Sequence, residues 1–107
     1  MKGSVRLLAP VPDDLRTIRD YLAASSPDVA DRFLGAVRTT FALLAAHPHA
    51  GGLKQFRDRR LADVRIWPIT GFDNYVVLYR PEATGIRVLA VFYGARNLRK
   101  NLRERVR

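Results

Sequence analysis

Apolar residues recur along this chain with two periods, and the change falls near its middle. From Pro12 to Ala46 the spacing is helical, and from Ala62 to Phe92 it is that of strands. Leu15, Ile18 and Leu22 stand at i, i+3 and i+7 with Tyr21 beside them, which predicts an amphipathic helix with one apolar face. Pro12-Asp13-Asp14 opens it and sets carboxylates at the positive end of the helix dipole, with no catalytic pair implied. Ser25-Ser26-Pro27-Asp28 stops this helix and begins another. Ser26 can cap the new helix, and Pro27 suits its first position, where a missing N–H loses no partner. Ala30, Phe33, Val37, Phe41 and Leu44 then recur at steps of 3, 4, 4 and 3, and Leu34 widens the stripe. The helix ends near Ala46, before Pro48. A link this short predicts an antiparallel helix hairpin.

The remaining segments read as strands. Val5 to Ala9 is short, aliphatic and bounded by Gly3 and Pro10. His47 to Arg60 is a loop rich in Gly and Arg. Ala62 to Ile69 alternates Val64 and Ile66 against Arg65 and Trp67, and Pro68 marks an edge strand because it cannot donate to a ladder. Thr70-Gly71 makes a turn. Tyr75 to Tyr79 and Ile86 to Phe92 are almost continuously apolar, which predicts central strands covered on both faces, joined through a Pro81 to Gly85 hairpin loop. From Ala95 onward the chain turns helical, with Leu98 and Leu102 at i, i+4 among Arg and Lys. The expected fold is α+β, in the order β-α-α-β-β-β and then a short basic C-terminal helix. The helix hairpin packs on one face of a small curled antiparallel sheet.

Composition narrows the class. The 107 residues fit one domain, residues 1–107. At 48% apolar and 27% charged, the chain can bury a core rather than remain disordered. It has no cysteine, which excludes disulfides, thiolate zinc sites and a thiol nucleophile. His47 and His49 lack a third ligand, so neither a metal nor another cofactor is expected. No apolar run nears the roughly 20 residues that span a bilayer, and the N-terminus is no signal peptide, so the expected location is cytoplasmic, without membrane contact.

The net charge of +9 is unevenly placed. Residues 1–50 hold 6 basic and 5 acidic side chains, whereas residues 51–107 hold 13 and 5. Two segments carry the excess: Lys54 to Arg65, with 5 basic and 2 acidic residues, and Arg96 to Arg107, with 6 and 1. A GC-rich genome explains the preference of Arg over Lys but not this confinement. It implies an acidic or polyanionic partner.

In sequence the pieces run DDLRTIRDYLA, PDVADRFLGAVRTTFALLAAHP, Pro48-x-x-Gly51, the basic Leu61 to Val64 stretch, VVLYR and IRVLAVFYGARNL. Together, from about Val5 to about Leu102, they resemble the ParE toxins of the ParE/RelE superfamily of type II toxin–antitoxin modules. That resemblance implies a toxin neutralised by a cognate antitoxin. The antitoxin would be ParD-like, with a ribbon-helix-helix DNA-binding part and an acidic C-terminal segment that is disordered when free. ParE members poison DNA gyrase, and RelE members cut mRNA in the ribosome. Where ParE-like chains often read His-Gly-x-Arg, this chain reads Tyr93-Gly94-Ala95-Arg96.

A RelE-like nuclease needs a base, an acid and cations around the phosphorane. Lys54, Arg57, Arg65, Arg80 and Arg96 supply cations, with Tyr93 as the one proton shuttle. A phenol with a pKa of about 10 suits neither proton role unaided. The favoured reading is therefore a non-enzymatic gyrase poison with no catalytic residue. Its expected target-binding residues are Lys54, Arg57, Arg59, Arg60, Tyr93, Arg96, Arg99, Lys100 and Arg103. Leu89, Val91 and Tyr93, alternating on the last strand, are expected to face a partly open apolar groove for the antitoxin, with Leu98 and Leu102 either contributing to it or covering it. Arg96 can also brace the last helix against Asp63 or Asp73. A third reading is a basic nucleic-acid-binding module, but RRM and helix-turn-helix signals are missing, and no sequence-specific DNA binding is expected.

Overall fold

The computed structural model describes residues 3–53, 58–94 and 98–106. Strand β1 is Ser4–Leu7, followed by helices α1, Val11–Ser25, and α2, Pro27–Ala46. The second half holds β2, Gly52–Leu53, a 3₁₀ turn at Arg59–Leu61, β3, Arg65–Ile69, β4, Phe72–Glu82, β5, Gly85–Tyr93, and helix α3, Leu98–Arg105. The fold is α+β in the expected order.

The helix hairpin turns on a single residue. The Ser26 N–H donates to Leu22 O at 2.9 Å and closes α1, while Ser26 Oγ accepts the Val29 N–H at 3.2 Å and opens α2. Extended backbone at Ser26 (φ −158°, ψ 106°) makes both bonds possible from one position. α1 starts at Val11, one residue ahead of Pro12, because Val11 is buried and anchors the entry. Tyr21 departs from its expected apolar face and is 72% exposed.

The sheet order is β1-β5-β4-β3-β2. β3, β4 and β5 form the expected antiparallel meander. β1 runs parallel to β5, with Val5 opposite Ile86. It is shorter than Val5 to Ala9 and exposed throughout, as an edge strand is. Two residues of β2 pair with β3 inside what reads as a loop, and β3 begins only at Arg65 because the 3₁₀ turn and its exit take Leu61 to Val64. Pro68 lies beyond the reach of β2, on an open edge, and so costs no ladder bond. The β4–β5 hairpin is tighter than Pro81 to Gly85, with only Ala83 and Thr84 between the strands. At Gly85 any Cβ would collide with the Ser4 backbone, so glycine is what allows β1 to lie against β5.

Two apolar clusters fill the two sides of the sheet. Beneath the hairpin, Phe33, Val37, Phe41 and Leu44 pack on Val77, Tyr79, Val88 and Val91. On the other side, Leu61, Val64, Leu78, Leu89, Ala90 and Leu102 form a second cluster, so α3 covers what the hairpin leaves open. Continuous apolar runs in β4 and β5 thus serve two layers.

A β-bulge decides which residues go where. Leu78 is opposite Ala90, yet Tyr79 is opposite Val88, which leaves Leu89 as the extra residue. Val88 and Val91 face the hairpin, and Leu89 and Ala90 face α3. The expected alternation of Leu89, Val91 and Tyr93 on one face is therefore corrected. One inserted residue reverses the parity, and Leu89 points away from Val91.

Candidate functional site

Side chains of the sheet anchor the loop that leads into the first basic segment, and the sheet together with α1 docks the second. Tyr79 is fully buried in β4, yet its hydroxyl reaches the loop after α2. It donates to Pro48 O at 2.9 Å and accepts the Gly51 N–H at 2.9 Å. Arg65 Nη1 donates to Gly51 O at 2.6 Å and to His49 O at 3.3 Å. The Pro48-x-x-Gly51 pattern therefore has a physical cause. A Cβ at residue 51 would press on the Tyr79 hydroxyl at 2.6 Å. Burial pushes the Tyr79 phenol above its ordinary pKa, so it stays protonated and able to donate. Tyr79→Phe strands a buried N–H and is expected to cost about 2 kcal/mol in urea unfolding, with faster amide exchange at Gly51. Wild-type stability would refute this role.

Past this anchor lie Lys54 and Arg57, outside the described residues. Arg59 and Arg60 follow on the 3₁₀ turn, both exposed. Asp58 caps that turn through the Arg60 N–H at 3.0 Å and binds the Arg60 guanidinium at 2.7 Å. These hydrogen bonds from Arg60 hold the Asp58 carboxyl down at about 2. Arg60 is thus partly neutralised, and Arg59 has no carboxylate partner among the described residues.

The C-terminal segment is docked more firmly than its composition suggests. Leu102 is fully buried in the second cluster. Arg105 grips Asp14 of α1 through two bonds of 2.6 Å, with side chains only 17% and 11% exposed. Arg105 Nη1 also donates to Leu89 O at 3.0 Å, and its guanidinium lies 4.8 Å over the Phe92 ring. Asp14 in turn accepts the Val91 N–H at 3.1 Å. Because β1 stops at Leu7, the edge of β5 beyond Val88 lacks a neighbouring strand. Asp14 and Arg105 take the place of that strand and satisfy Leu89 O and Val91 N. Neither residue stands out in the sequence, where Asp14 looks like a dipole charge and Arg105 like a solvated tail.

The remaining expected site residues are scattered. Arg80 is bound to Asp63 at 2.7 Å. Arg96 lies outside the described residues. Leu98, Arg99 and Lys100 belong to the first turn of α3, and their side chains are not described. Arg103 is exposed on the outer face of α3. Tyr93 is 64% exposed at the end of β5 and stacks edge-on against Tyr75, ring centroids 5.1 Å apart. Leu89 and Leu102 lie together beneath α3, and Val91 lies on the opposite side beneath the hairpin. The described part of the sheet face therefore shows no open groove at Leu89 and Val91, because tail and hairpin cover them. An open apolar cleft of about 540 Å³ lies elsewhere, between β1 and α2, with Val5, Arg38, Phe41 and Leu43 on its walls. Its signal in the sequence was faint, since Val5 and Leu43 read as ordinary element residues. Among the described residues no cluster of three or more His, Asp or Glu suits a metal, and no helix is long and apolar enough to cross a membrane.

Residues 5–98 match the family model of the ParE toxin of the parDE type II toxin–antitoxin system. The chain belongs to the ParE toxin family. A solved structure of the chromosomal ParDE toxin–antitoxin system from P. aeruginosa has the same fold, with a TM-score of 0.68 at 18% identity. The match covers 88% of this chain and 98% of that one. None of the curated proteins matches the sequence significantly. Membership of the ParE family makes this chain a toxin of a type II module, and it gives the hairpin, the anchored loop and the docked basic helix their setting.

Proposed function

We propose that this toxin acts by binding, poisoning DNA gyrase, and that a cognate antitoxin holds it inactive. The observation that carries the reading is the ParE family match over residues 5–98. The geometry supports it on the chemical side. Arg65 is spent on loop carbonyls and Arg80 on Asp63, so two of the cations that a RelE-like site would use on a phosphorane serve the fold instead. The target-binding residues in this reading are Arg59 and Arg60 of the 3₁₀ turn, Tyr93, and Arg103 on the outer face of α3, all exposed, together with Lys54, Arg57, Arg96, Arg99 and Lys100, whose side chains lie outside the described residues. The antitoxin's acidic segment competes with α3, and so with Leu102, for the sheet face at Leu89, and masks these cations.

A supercoiling assay with purified gyrase, free of ribosomes, tests this. The toxin is expected to inhibit, and an equimolar cognate antitoxin to restore activity. Arg59→Gln with Arg103→Gln is expected to weaken inhibition about tenfold, as loss of a charge-assisted contact does, without lowering the melting temperature. Deleting Leu98 to Arg107 is a poorer test, since it also uncovers Leu61, Val64 and Leu78. Absence of inhibition, together with mRNA cleavage at the ribosomal A site, would replace this proposal with the RelE-like one.

A further inference from the structure

Three arginines lie side by side across the sheet. Arg6 of β1 is opposite Arg87 of β5, and Arg87 is opposite Arg80 of β4. Strand neighbours stand about 5 Å apart, where like charges repel. Two of the three are compensated. Arg6 meets Glu82 at 3.6 Å and Arg80 meets Asp63 at 2.7 Å. Arg87, the middle one, meets no carboxylate among the described residues, and its Nε is buried without a hydrogen-bond partner. Arg87 as a whole is half-buried, and the unpaired Nε leaves its guanidinium with a donor free for a guest.

A cavity of about 220 Å³ opens at this point, lined by Leu8, Arg80, Arg87, Leu89, Arg105 and Val106. Its three arginines carry three positive charges, and Asp63 and Asp14 answer two of them. Among the described residues the charge on Arg87 is left unanswered. We propose that this cavity is a receptor for a single carboxylate side chain presented by a protein partner, with the Arg87 guanidinium as the binding group.

The walls favour that occupant. Arg presents a planar fork that matches a carboxylate. Leu8, Leu89 and Val106 offer apolar contact to the methylenes of a glutamate stem. A nucleic acid fits less well. Its successive phosphates would run across Glu82, Asp63 and Asp14, which interleave with the arginines and repel a second anion. The site is separate from Tyr93, which lies at the other end of β5. It does not depend on which enzyme the toxin poisons.

The test uses the full-length, ¹⁵N-labelled chain and a capped peptide alternating glutamate with leucine. Addition of peptide is expected to shift the Arg87 Nε–Hε resonance saturably, together with the amides of Leu8 and Leu89. The same peptide with glutamine for glutamate is expected to leave them unmoved. Arg87→Gln should weaken binding at least about tenfold, and Arg87→Lys, which keeps the charge but loses the fork, by an intermediate factor. Four results would overturn the proposal: no saturable shift, equal response to the glutamine peptide, unchanged affinity in folded Arg87→Gln, or tighter binding of inorganic phosphate or a single-stranded oligonucleotide. If neither variant folds, the contrast between the two peptides on the wild-type chain decides.

Discussion

Asp14→Ala is expected to destabilise the domain by about 3 kcal/mol, the low end of what breaking a buried ion pair costs, since both partners keep some solvent contact. The loss has three parts. Arg105 keeps its charge in a largely enclosed place but loses both carboxylate bonds. The Val91 N–H loses its acceptor at an unprotected strand edge. Leu102, which α3 presses into the second cluster, loses the clasp that keeps the helix down. Urea unfolding should show a lower midpoint, and amides of α3 and of Leu89 to Val91 should exchange faster than those of α2. The double variant Asp14→Ala with Arg105→Ala should be less unstable than the two single losses combined, because no orphan charge remains. A loss below about 0.5 kcal/mol in the single variant, the size of an exposed pair, would show that Asp14 is only a dipole charge.

Phe33→Ala should cost more, about 4 kcal/mol. Phe33 is fully buried at the centre of the hairpin–sheet interface. Its ring meets Phe72 edge-on at a centroid distance of 5.2 Å and Tyr75 at 5.2 Å, so truncation removes two aromatic pairs along with the buried area. Residues from a rigid helix and a rigid strand surround the site, so the cavity cannot collapse easily. Against a total stability of roughly 5–15 kcal/mol, such a loss brings the chain near its threshold. Trp67 is the sole tryptophan and packs against the same cluster, so its fluorescence reports the transition directly. A midpoint close to wild type would mean that the hairpin is not fixed by this contact.

Much of this protein follows from local pattern. The stripe from Ala30 to Leu44 faces the sheet as its spacing requires, and Ser26 and Pro27 end one helix and start the next as capping chemistry demands. Apolar runs in β4 and β5 announced two covered faces, and two clusters occupy them. The confinement of positive charge to a loop and a tail was equally legible, because it is a matter of counting.

Other features depend on residues brought together from afar, and no local period encodes them. Parallel pairing of β1 with β5 joins residues some eighty positions apart and depends on the room left at Gly85. The bulge at Leu89 is a matter of register between two strands, and it reverses which face each neighbour occupies. The clasp of Asp14 and Arg105 spans 91 positions, and the row Arg6, Arg87, Arg80 exists only once three strands align. The sequence by itself determined the helix hairpin, the order of the main elements, the two-sided core and where the charge is concentrated, since each is written in spacing and composition. Only the tertiary structure decided which arginines hold the fold together and that Arg87, among the described residues, meets no carboxylate, because pairing is set by distance in space.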